Sequence, residues 1–246
     1  MASLNAVAVR PAVGSAARPG GPAASTRGGW EGAALRLLEF VAYPALAGCA
    51  LILLCLGVVT WLPAMAAAAH ALQRWRADGR ARPFLGTLGL FGHYWHRLWR
   101  HALLSTVVVA VLGANVVFLA THPGVPAGAL FALQIGLILV LVPYHLALAV
   151  TAARDPDGEP GRWRRDAVLF AFAVPGRGLA LLAAVVAVPV LTAPLALGPP
   201  LLGLTLPLLF GLRLADRSAG RGSAGGRARR VRDAHQHGGS REEGDR

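Results

Sequence analysis

Three stretches of this chain contain no Asp, Glu, Lys or Arg: Phe40 to Gln73, His101 to Ala153 and Gly178 to Leu212. A soluble core is assembled from amphipathic elements that keep a polar face toward water. Each of these stretches instead exceeds the roughly 20 residues that one helix needs to cross a bilayer. Charges are scarce overall, at 15% of residues against 55% hydrophobic, where soluble domains carry about a quarter. They also cluster between the apolar stretches. The pattern predicts an all-α, polytopic membrane helix bundle with short interfacial amphipathic helices.

Every basic side chain is Arg, and the net charge is +12. Beside membrane spans, such an excess points to topology and to anionic lipid head groups. Nucleic acid is not an expected partner, because the basic run Arg227 to Arg232 has neither interleaved aromatics nor a folded module around it. Cys49 and Cys55 lie six residues apart in one apolar run and point in different directions on a helix. They read as small apolar fillers rather than a disulfide or a metal pair.

The first apolar stretch would be about 60 Å long as one helix, twice the hydrocarbon thickness, so it must break. Pro63 is the natural place, since proline suits a first turn and not a helix middle. The expected elements are helix 1 over Leu35–Leu56, a turn at Gly57–Leu62, and an Ala-rich helix 2 over Pro63–Ala77 that is better buried than lipid-facing. Phe84 to His101 alternates apolar and basic residues and reads as an interfacial helix, with Trp75, Trp95 and Trp99 at head-group level. Helices 3 and 4 follow over Ala102–Ala120 and Ala127–Ala152, then a short amphipathic piece, Asp166–Val174, and a last hairpin over Gly178–Thr192 and Leu201–Leu214. The transmembrane domain is expected over 33–216, with a disordered tail at 1–32 that lacks the apolar core of an export signal and a disordered basic tail at 217–246.

Arginine-rich connections alternate with charge-free turns at Gly57–Leu62, Thr121–Pro126 and Pro194–Pro200. The positive-inside rule puts the arginines and both termini in the cytoplasm, with about six membrane-embedded helices. If helix 2 does not cross, five full spans remain and the N-terminus moves outside.

The run Gly57 to Ala67, containing Thr60-Trp61-Leu62-Pro63-Ala64, resembles a "Pro-Ala after the first span" signature of the YesL-like bacterial membrane proteins. Phe91 to Arg100 is similar to their aromatic-basic segment, and Ala173-Val174-Pro175-Gly176-Arg177 to their late Pro-Gly-Arg element. The resemblance covers Ala33 to Asp216; the long tails depart from it. It implies a multi-span inner-membrane protein with an accessory role in carbohydrate uptake, and it carries no catalytic residues, cofactor or metal.

The residues themselves offer little chemistry. His93, His96 and His101 invite a metal reading, but no carboxylate or Cys lies within a turn or two, and Arg97 and Arg100 would repel a cation. Gly86, Gly89 and Gly92 lack the strand and helix context of a phosphate loop. No clustered acid, base and nucleophile is visible, so an enzyme is not expected. Inside the spans, His70, Asn115, Gln134 and His145 form the candidate polar cluster. They read as interhelical hydrogen bonds, Asn115 with Gln134 among them. The alternative is a polar pathway for a small solute, motivated by Pro143 beside Tyr144 and His145. No Asp or Glu lies deep in a span to couple such transport to ions. The expected partners are the bilayer, anionic lipid at the basic loops and tail, and a transporter subunit or a second copy of the chain.

Overall fold

The computed structural model describes residues 30–79, 82–122, 124–218 and 220, without the side chains of residues 31 and 36. Among the described residues all regular structure is helical. The elements are α1 (Trp30–Cys55), α2 (Trp61–Asp78), α3 (Pro83–Thr121), α4 (Val125–Arg154), α5 (Pro160–Phe172), α6 (Pro175–Thr192) and α7 (Gly198–Leu202). A last helix, α8, covers residues 205–218. Residues 30–38 of α1 belong to a separate compact unit; there Leu35, Leu37 and Leu38 are exposed. The unit from Glu39 onward holds the core.

Proline sets the helix starts. Pro83, Pro160 and Pro175 open α3, α5 and α6, where the missing N–H would have no intrahelical acceptor in any case. Pro63 is the third residue of α2, also in its first turn. Pro44, Pro143 and Pro189 lie inside α1, α4 and α6, as membrane helices tolerate.

Five helical stretches are long and apolar enough to cross a membrane: Gly32–Cys55, Pro83–Thr121, Val125–Arg154, Pro175–Thr192 and Gly198–Ser218. That is the architecture of a polytopic α-helical membrane protein. The sixth helix of the expected bundle, α2, is not among these five, and it is enclosed instead. Leu62 through Ala69 are all buried, packed against α3 and α4. Its alanines present no long side chains, so neighbouring backbones approach closely. Around it lie Tyr94, Leu98 and Ala102 of α3, Leu146 to Ala153 of α4, Trp163, Ala167 and Ala171 of α5, and Leu208 and Leu212 of α8.

Two expected boundaries change. The predicted interfacial helix and helix 3 are one uninterrupted helix, α3, of 39 residues. No proline separates them, and a buried stripe at Thr87, Tyr94, Leu98, Ala102 and Ser105 runs across the junction, so packing carries the helix straight through. At 1.5 Å per residue it is about 58 Å long, of which the charge-free part, residues 102–120, matches the roughly 30 Å of hydrocarbon. The short amphipathic piece starts earlier than expected, at Pro160, because Trp163 joins Ala167 and Ala171 on one buried face.

The outermost helix ends also move. Helix begins at Trp30 rather than Leu35 and continues through Ser218 rather than stopping at Leu214. Helix ends follow backbone hydrogen bonding and not the loss of apolar periodicity; at the C-terminal end the Ser218 hydroxyl donates to the Ala215 carbonyl at 2.7 Å. Residues 1–29, 219 and 221–246 of the expected tails lie outside the described residues.

Candidate functional site

α2, α3 and α4 meet along two polar contacts. At the start of α2, the Trp61 indole donates to Thr106 Oγ1 of α3 at 3.0 Å and packs on the His145 ring of α4, centroids 4.9 Å apart. His145 Nδ1 lies 2.8 Å from the Leu141 carbonyl and Nε2 2.9 Å from Ser105 Oγ. A carbonyl only accepts, so Nδ1 carries the hydrogen. The neutral ring then accepts the Ser105 hydroxyl at Nε2, and both nitrogens are satisfied. Tyr144 OH and His101 Nε2 form a further pair at 3.2 Å beside it.

About two turns short of the end of α2, His70 Nδ1 lies 2.8 Å from the Tyr94 hydroxyl of α3, which donates to the Ala152 carbonyl of α4 at 3.3 Å. Tyr94 is fully buried and links three helices with one oxygen. Since its single hydrogen goes to Ala152, the His70 nitrogen is the donor in their bond.

Of the expected polar cluster, then, His145 and His70 sit in separate contacts. Their α3 partners, Ser105 and Tyr94, lie about 16 Å apart along the helix. Gln134 is buried and donates to the Leu112 backbone carbonyl of α3. This corrects the expected pairing with Asn115: the longer Gln134 side chain reaches the backbone first. Asn115 is exposed and lines, with Gln134, an open cleft of about 700 Å³ between α3 and α4. The four side chains therefore do not converge on one polar cavity.

A cavity of about 340 Å³ does lie beside His145, walled by Trp61, Met65, Leu112, Leu141, Val185 and Leu204. Its walls are apolar apart from the aromatic edges, and the His145 nitrogens are already committed.

The family-like positions serve structure. Pro63 and Ala64 are buried in α2, while Pro175 and Gly176 open α6 and the Arg177 guanidinium lies over Phe170, 5.8 Å from its centroid. Among the described residues no three His, Cys, Asp or Glu side chains are grouped to hold a metal. His93 contacts the Pro156 carbonyl at 2.9 Å, and His101 faces Tyr144. Gly86, Gly89 and Gly92 lie inside α3 rather than in a loop.

One cluster escaped the sequence reading. Arg97 Nη1 donates to the carbonyls of Pro156 and Gly158 at 3.0 and 3.1 Å and lies over Trp163 at 5.8 Å. The Trp163 indole in turn donates to the Asp155 carbonyl at 2.8 Å. Together they strap the α4–α5 loop onto α3. Arginine in a basic segment gave the only signal, and it read equally well as a topology charge.

At the charged ends of α2, α4 and α8, Asp216 bridges Arg76 at 2.9 Å and Arg154 at 3.8 Å. Near the α2–α3 turn, Arg74, Asp78 and Arg82 line a cleft of about 490 Å³ floored by Leu85 and Leu90. No protein-family model, curated protein or solved structure matches this chain.

Proposed function

We propose that this chain is a non-enzymatic helical partner in the bacterial inner membrane, acting as an accessory to a carbohydrate-uptake assembly. The observation that carries the non-catalytic part is the use of the polar groups. His70, His145 and Gln134 are each spent on contacts between helices. The outer faces of α3 and α4, meanwhile, keep large apolar side chains exposed, among them Val117, Phe118, Leu130 and Leu133. Such a molecule is equipped to sit beside lipid or other helices. The carbohydrate part rests on the YesL-like resemblance alone.

In this reading the linked ends of α2, α4 and α8 face the cytoplasm, because Arg76, Arg154 and Arg213 gather there and the positive-inside rule retains arginine on that side. Both termini are then cytoplasmic and α2 completes a sixth crossing. Anionic lipid head groups would meet Arg74 and Arg82 at the α2–α3 cleft, an attraction of about 1 kcal/mol per charge near the leaflet.

The test is purification of the full chain from native membranes in mild detergent. The expected result is co-purification of a carbohydrate permease subunit in fixed ratio. A monodisperse protein free of any permease subunit would count against the accessory role.

A further inference from the structure

The polar side chain in the outer half of α3 that the fold leaves unused is Asn115. It is exposed, and it lies six residues before the end of α3 at Thr121, about 9 Å inside the helix end. The surrounding stretch, residues 102–120, carries no charge. One turn away on either side, Val111 and Phe118 are exposed apolar groups. An amide in that setting faces hydrocarbon, where water is not available to satisfy it. Its one polar neighbour across the cleft, Gln134, already donates to the Leu112 carbonyl.

We propose that Asn115 pairs with Asn115 of a second copy, so that the α3–α4 face is the contact of a symmetric dimer within the membrane. This rests on the reading of the chain as a membrane-embedded helical protein and adds a second copy of the chain beside the proposed permease. Three observations favour a second copy over another occupant. An amide holds both donor and acceptor, so it is complementary to itself. A two-fold axis brings the same residue of each copy face to face without further design. The flanking surface is also open to close approach: a Cβ at Gly136 would meet nothing within 4 Å, and small residues of this kind let helices come together in lipid. Gly136 lines the same cleft as Asn115.

Full-length protein, labelled separately with donor and acceptor fluorophores and reconstituted in phosphatidylethanolamine–phosphatidylglycerol vesicles, reads self-association as energy transfer against the protein-to-lipid ratio. Wild type should associate. N115L should weaken association at least tenfold, and N115Q, which restores an amide, should recover most of it. The side chain forms no hydrogen bond within its own chain that N115L would remove, so the variant should fold, as an unchanged unfolding midpoint would verify. Equal association of N115L and wild type would overturn the proposal, as would a wild type that stays monomeric at every ratio with Asn115 left to lipid. Either failure leaves permease co-purification untouched, so it is separable from failure of the proposed function.

Discussion

At the residue scale, Tyr94 and His145 show how a few polar atoms hold apolar helices together. Tyr94→Phe removes the oxygen that joins His70 to the Ala152 carbonyl. Interhelical hydrogen bonds in membranes average well under 1 kcal/mol, with the larger values near 1–2. The loss should cost about 1 kcal/mol, measured as a lowered thermal unfolding midpoint in detergent; an unchanged midpoint would remove Tyr94 from its linking role. The sequence showed which side chains must find partners in a span, His70, Asn115, Gln134 and His145 among them. It did not show who bonds whom. Successive residues point about 100° apart around a helix, so a small rotation of α3 against α4 decides whether Gln134 meets Asn115 or the Leu112 backbone.

At the scale of elements, close backbone approach sets which helices touch. A Cβ at Gly48 of α1 would run into the Leu201 carbonyl of α7, whereas one at Gly128 of α4 meets nothing within 4 Å. Gly48→Ala should therefore destabilise by at least about 2 kcal/mol through overpacking. Gly128→Ala should be neutral or gain up to about 1 kcal/mol of helix propensity. Unfolding midpoints of the two variants with the same sign and size would refute this packing. The α4–α5 loop offers a second test. Arg97→Ala deletes the hydrogen bonds to Pro156 and Gly158 and the contact on Trp163, so limited proteolysis should cut within residues 155–158 much faster than in wild type. Equal cutting rates would mean the strap does not hold. The start of α2 was legible from Pro63, but the starts at Pro83, Pro160 and Pro175 and the continuity of α3 were not. Its two halves differ in composition, and only the buried stripe from Thr87 to Ser105 makes them one rod.

At the scale of the whole molecule, the bilayer is the solvent that the composition demands. Exposed Val109, Leu133, Leu179 and Val190 would aggregate in water, so the full chain should pellet with membranes and resist carbonate extraction; recovery in the supernatant would contradict the fold's setting. On the proposed topology, a phosphatase reporter that works only in the periplasm should stay inactive when fused before residue 1, and a reporter that works only in the cytoplasm should be active at the same position. The reverse result would leave α2 as an enclosed helix that does not cross.

Charge-free length, proline position and arginine placement determined, from the sequence alone, that this is a helical membrane protein and roughly where its helices lie. Those are local properties, each fixed by what one segment of backbone and side chains requires of its solvent. That α2 would be sheathed by protein, that Tyr94 and Arg97 would hold neighbouring segments together, and that Asn115 would be left facing outward depend on how helices rotate and slide against one another. Residues far apart in the chain set those offsets jointly, so only the tertiary structure decided them.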